Sequence, residues 1–163
     1  MMDSQKAKED VLRQLIDTGC RITFAESCTG GLLAASLVAL PSASLVLNES
    51  YVTYANQSKT DLCGVCPKTL EAYGAVSLQT AKEMAEGAAE RAKADVAVAV
   101  SGIAGPDGGT DTKPVGTVCF GFYIKGKETV TEVVRFGDLG RNNVRQAAVD
   151  YAWKRLAELI SCR

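Results

Sequence analysis

The 163-residue sequence contains no histidine at all. That absence excludes a Ser-His-Asp or Cys-His relay, and with it any imidazole-ligated zinc, iron or copper site. Proton transfer near neutral pH must then use a carboxylate, a lysine, a tyrosine, a cysteine or water. No apolar run reaches the length of about 18 residues that a membrane-spanning helix needs. The first ten residues, MMDSQKAKED, are polar and acid-containing, unlike a secretory or transit leader. Excess charge is missing as well. The 18 basic and 19 acidic residues give a net charge of -1, which argues against electrostatic wrapping of nucleic acid or anionic membrane. A cytoplasmic protein with neither nucleic acid nor membrane as partner is therefore expected.

What the chain does have is a hydrophobic content of 47%, enough at this length for one domain, read as residues 1–163, with a core that needs no staples. Its six cysteines are Cys20, Cys28, Cys63, Cys66, Cys119 and Cys162. Without an export leader they read as reduced thiols. Cys63-Gly-Val-Cys66 lacks the two further ligands of a zinc site, so these residues read as small buried apolar groups and no metal is expected.

Periodicity gives the elements. Val11, Leu12, Leu15 and Ile16 form one stripe of a helix over 4–18, which Gly19 ends. A short strand over 21–25 precedes a small-residue helix over 32–40, closed by Pro41. Residues 51–54 alternate like a strand, and helical turns follow at 56–62 and 67–72. A longer helix opens at Ser77 and runs to about residue 92. The apolar run 95–100 reads as a strand buried on both faces. Strands over 115–124 and 129–136 flank the turn Lys125-Gly126-Lys127, and a helix over 142–159 closes the sequence. Alternating helices and strands followed by a hairpin imply an α/β domain: a mixed, mostly parallel sheet covered by helices on both faces.

Three segments carry candidate chemistry. Glu26-Ser27-Cys28-Thr29-Gly30-Gly31 leaves a strand and enters a helix, where glycines let backbone N–H groups approach an anion. It is neither a Walker A loop nor a dinucleotide fingerprint, and a simple capped turn at Thr29 reads equally well. Residues 101–117 hold Gly102, Gly105, Gly108 and Gly109, with Lys113 supplying a charge, so the loop can form an anion nest or simply cross the surface. Ser42-Ala-Ser44 and the run Tyr51–Lys59 supply hydroxyls and an amine. A serine nucleophile without histidine needs a lysine of lowered pKa, which burial provides. Spacing alone does not bring Ser44 to Lys59.

The segments Ala25–Gly31, Tyr54-Ala-Asn-Gln-Ser-Lys59, Gly74-Ala-Val-Ser77, Ser101–Pro106 and Lys113–Thr117 occur in one order that closely resembles the CinA C-terminal-domain family, over about residues 5 to 160. The resemblance implies a three-layer α/β/α fold. It also implies hydrolysis of the nicotinamide mononucleotide carboxamide to nicotinate mononucleotide and ammonia by a Ser/Lys dyad, with no cofactor. Longer family members carry an N-terminal molybdopterin-binding-like domain, which 163 residues cannot hold.

Mapped by position, the lysine is Lys59. Ser44, fifteen residues earlier, is the first choice as nucleophile and Ser27 the competing one, with Tyr54 orienting a proton. A backbone N–H of one glycine loop would stabilise the oxyanion, and losing such a donor costs about 3 kcal/mol. The substrate phosphate would lie against Thr29, Gly30 and Gly31 or against the Gly102–Gly109 loop, with Arg141 or Arg145 as charge partner. Self-association into a dimer or higher homo-oligomer, through the apolar strand 129–136, is also implied. The alternative is a catalytically silent nucleotide-binding or partner-docking module that keeps the two glycine loops.

Overall fold

The structure, a computed structural model, describes residues 2–161; Cys162 lies outside the described residues. The helices are α1 (Ser4–Thr18), α2 (Leu32–Val38), α3 (Asn56–Cys63), α4 (Pro67–Tyr73), α5 (Leu78–Ala92) and α6 (Arg141–Ser161). The strands are β1 (Ile22–Glu26), β2 (Tyr51–Val52), β3 (Val96–Gly102), β4 (Thr117–Ile124) and β5 (Val130–Arg135). They form one sheet in the order β2-β1-β3-β4-β5. β1 is parallel to both β2 and β3, while β4 is antiparallel to β3 and β5. Only β4 runs against the common direction, so the sheet is mixed and mostly parallel, in an α/β domain as expected. Among the described residues no helix is long and apolar enough to cross a membrane.

Strand alternation sorts the sheet into a bulky face and a small one. Ile22, Phe24, Val98, Val100, Phe120 and Phe122 pack with α1, α2 and α6 in the larger core, where Phe24 meets Trp153 edge-on at 5.7 Å. The opposite face presents Ala25 and Ala99 to Met84, Ala85 and Ala88 of α5. This second face is close-fitting. A Cβ on Gly121 would strike the backbone carbonyl of Ala81 in α5, and one on Gly87 would strike that of Cys63 in α3. Those glycines let α5 sit between the sheet and α3 with backbone in contact.

Two element boundaries differ from the periodicity reading in ways that bear on the site. β2 stops at Val52, not residue 54: the Thr53 N–H still bonds Glu26 O, but the chain then turns into α3. β4 begins at Thr117, two residues late, because Gly116 takes a left-handed φ of 91° against Gly137, where a Cβ would collide with its backbone.

The parallel strands β2, β1 and β3 end side by side. Strand order reverses between β1 and β3, which in open α/β sheets is the place where a crevice opens beyond the carboxyl ends.

Candidate active site

Each of the three parallel strands delivers a group into that crevice. Ser27 follows β1, Thr53 and Tyr54 follow β2, and Ser101 and Gly102 end β3. Lys59 lies in the middle of α3, and its side chain runs back to the carbonyls of the turn that precedes the helix. Its Nζ lies 3.0 Å from Ser27 Oγ, 2.7 Å from Thr53 O and 3.3 Å from Tyr54 O. Lys59 is 1% exposed and Ser27 8%. No carboxylate forms an ion pair with Lys59 among the described residues. Desolvation therefore acts against the ammonium, and burial pushes the Lys59 pKa below the usual lysine value.

A neutral amine has two N–H donors and one lone pair. In its neutral form the amine could give its two N–H groups to the two carbonyls, which would leave the lone pair for the Ser27 hydroxyl 3.0 Å away. This is the geometry of a base beside a nucleophile.

The cleft outside the pair has a volume of about 220 Å³, with Ala75, Val76, Ser101, Gly102, Ala104 and Arg141 on its walls. Arg141 donates to Gly105 O at 2.7 Å and to Tyr54 Oη at 2.9 Å, so it joins the second glycine loop to the exposed tyrosine at the cleft mouth. Ser101, buried at the floor, donates to Ala75 O at 2.7 Å and fixes the opposite wall. A Cβ on Gly102 would lie 2.7 Å from Val118 Cγ2, so any larger residue there would displace that side chain.

Several expected site residues are brought together: Ser27, Lys59, Tyr54, Gly102 and Arg141 share the one cleft, and the Gly105 carbonyl holds Arg141. Ser44 is not among them. The Ile22 N–H bonds Val46 O, and Ile22 bridges Leu47, so residues 43–47 run beside the amino end of β1. Ser27 follows its carboxyl end, about 13 Å further along at 3.3 Å per residue. Ser44 is exposed in a short 3-10 turn beside a hollow lined by Val38, Leu40 and Leu47. The expected pairing of Ser44 with Lys59 is thus corrected to Ser27 with Lys59.

The expected phosphate seat on Thr29, Gly30 and Gly31 is corrected as well. The carboxylate of Glu26, fully buried, accepts from Leu33 N at 2.8 Å and Ala34 N at 3.1 Å, and so already fills the start of α2. Arg145 does not face the cleft: it donates to Cys28 O and Thr29 O and braces the Ser27 loop from behind. Gly108, Gly109 and Lys113 lie outside this cleft; Lys113 Nζ bonds Tyr73 O at 2.7 Å on the far side of Ala75.

Glu26 and Ser101 are the functional neighbours that sequence reasoning passed over. Glu26 stands next to Ser27 in the motif, but a carboxylate at the end of a strand gives no sign that it turns inward to cap the following helix. Cys28 is buried beside Ser27, and desolvation pushes its thiol up to about 11, so it stays protonated and unreactive. The expectation that Cys63 and Cys66 are both small buried groups holds for the first and is corrected for the second. Cys63 is buried with its pKa raised to about 11, Cys66 is exposed, and no acid or thiol cluster able to hold a metal occurs among the described residues.

Fold and site together define a three-layer α/β domain with a buried serine–lysine pair at the carboxyl edge of a parallel strand. The chain belongs to the CinA C-terminal domain family, whose pattern matches residues 4–160. A CinA-like protein of Shewanella amazonensis is 44% identical over 149 residues, which cover 91% of this chain and 35% of that protein. Another CinA-like protein, of Chlorobaculum tepidum, is 45% identical, covering 93% of this chain and 38% of its own length. The chain thus spans somewhat over a third of these curated relatives. Among solved structures, the competence/damage inducible protein CihA of Agrobacterium tumefaciens superposes with a TM-score of 0.93 at 40% identity, over 98% of this chain and 96% of that one. A CinA superfamily protein of Escherichia coli gives 0.90 at 40% identity, over 96% and 90%.

Proposed function

We propose that the domain is a serine amidohydrolase that cleaves the carboxamide of nicotinamide mononucleotide to nicotinate mononucleotide and ammonia. The observation that carries the reading is the 3.0 Å approach of buried Lys59 Nζ to Ser27 Oγ with no acid beside it.

In the proposed reaction the Ser27 hydroxyl gives its proton to neutral Lys59 as Oγ bonds the amide carbon. The tetrahedral intermediate collapses with loss of the C–N bond, and the Lys59 ammonium returns that proton to the leaving nitrogen, which departs as ammonia. Water then attacks the acyl-Ser27 ester and gives a proton to Lys59, which passes it to Oγ as the ester bond breaks. Thr53 O and Tyr54 O hold the amine in place through each transfer. Arg141, fixed by Gly105 O and Tyr54 Oη, keeps a positive charge at the mouth without raising a carboxylate against the substrate.

The test is ammonia release from nicotinamide mononucleotide by the purified chain, with Ser27→Ala as the control. Release that matches the control refutes the activity. Saturable nucleotide binding without turnover would instead favour a silent binding module.

A further inference from the structure

A second cleft, of about 280 Å³, lies on the other side of the Ala75–Val76 segment, and Val76 belongs to the walls of both. Its floor is Thr117 and Cys119 of β4. Its rim is formed by Lys113, Arg135 and the first turn of α5, and its apolar surface by Tyr73, Leu78 and Val133. The last three are 50%, 38% and 51% exposed, an unusual grouping of large apolar side chains around one hollow.

The charge in this cleft is one-sided. Among the described residues the Lys113 side chain bonds Tyr73 O and the Arg135 side chain Thr112 O, and neither side chain has a carboxylate partner. Among the described residues no Asp or Glu lines the cleft. α5 is fifteen residues long and points its positive end at the same space, with Ser77 Oγ capping the Thr80 N–H. A lysine has three donors and a guanidinium five, so each cation retains donors for a ligand. The other basic groups of the region are committed. Arg145 braces the Ser27 loop, and Arg141 is held by Gly105 O and Tyr54 Oη.

We propose that this second cleft is a binding site for the phosphate monoester of a nucleotide, with Lys113 and Arg135 on the phosphate and Tyr73 and Leu78 against the sugar or base. Such a phosphate has two sources. It is the far end of the amide substrate, reaching past Val76 (an assignment that rests on the reading above), or it belongs to a separately bound nucleotide.

The experiment is a calorimetric titration of the whole chain with adenosine 5′-monophosphate, with adenosine as the control that lacks the phosphate. The wild type should bind the monophosphate saturably and adenosine at least tenfold more weakly. Lys113→Gln and Arg135→Gln keep an N–H for Tyr73 O and Thr112 O while removing the charge. Each should weaken monophosphate binding about tenfold. Equal affinity for adenosine and the monophosphate, or unchanged monophosphate affinity in both folded variants, overturns the proposal.

The source is read from KM. A roughly tenfold rise for nicotinamide mononucleotide in the variants, with nicotinamide riboside unchanged, assigns the cleft to the substrate's own phosphate. Unchanged KM for both, with weakened monophosphate binding, assigns it to a separate nucleotide. If the wild type releases no ammonia from either, the proposed activity fails while the titration still decides the cleft.

Discussion

Replacing Lys59 with methionine removes the amine and keeps most of the buried stem, and it acts on two quantities at once. Among the described residues Lys59 Nζ is the one side-chain group bonded to Ser27 Oγ, so in the proposed mechanism its loss strips the serine of its base. General-base catalysis contributes about 10²- to 10⁴-fold, and with no substitute in reach the loss should be at least 10³-fold, or about 4 kcal/mol of barrier.

Stability moves separately. The variant leaves Thr53 O, now bonded at 2.7 Å, without its partner, at a cost of about 1–2 kcal/mol. Against this, it relieves the burial of an ionisable amine, which costs about 1.4 kcal/mol for each unit by which the folded pKa is lowered. Because the folded pKa lies below the unfolded one, the unfolded chain binds more protons between the two values. Wild-type stability should therefore rise with pH across that window and be level beneath it. The methionine variant lacks that rise, so it compares best with the wild type on the acid side.

Ammonia release and denaturant unfolding, both followed from roughly pH 6 to pH 10, measure the two effects. Wild-type turnover should fall on the acid side as Lys59 is protonated. A variant that keeps more than a tenth of wild-type kcat, or a wild-type rate that is flat toward acid, refutes the lysine base.

Other substitutions separate the remaining elements of the site. Ser27→Ala should abolish ammonia release while Ser44→Ala, at the other end of β1, stays within twofold of wild type; the reverse order restores the Ser44 assignment. Glu26→Ala strips two charge-assisted bonds from α2 and should cost about 3 kcal/mol in urea unfolding, with Glu26→Gln recovering part of it. A loss under 1 kcal/mol means that α2 does not depend on this cap. Gly87→Ala forces α3 away from α5 and should destabilise by about 1–3 kcal/mol, whereas an unchanged midpoint contradicts the close contact. At about pH 8, iodoacetamide should alkylate exposed Cys66 well before Cys28, whose thiolate fraction at a pKa of about 11 is on the order of one in a thousand; comparable rates refute the buried thiol.

Much of the fold could be read from periodicity because burial here is strongly periodic. The stripe of α1 and the continuous apolar run of β3 each fit only one element type, and the observed bounds lie within a residue or two of the expected ones. The site was legible in its residue types and not in its pairing. Fifteen residues separate Ser44 from Lys59 and thirty-two separate Ser27 from it, yet the larger separation is the one that closes. What decides it is parallel register: Ile22 beside Leu47 and Ala25 beside Tyr51 send the two serines to opposite ends of one strand. Linear spacing holds no record of that. The role of Arg145 was hidden for a similar reason, since its acceptors are backbone carbonyls of another loop, and any arginine on a helix start looks equally free in sequence.

The reversed direction of β4 has a consequence for how this domain can diverge. The loop that leaves β3 at Gly102 re-enters the sheet directly opposite, at Val118, so both its ends are anchored at the same rim. Lengthening such a loop costs little, about 0.6 kcal/mol for each doubling. Ser27 and Lys59 stand on β1 and α3 and take no support from its tip. Residues 106–112 can therefore be exchanged or extended as a module, changing what the rim accepts while the serine–lysine pair stays where it is.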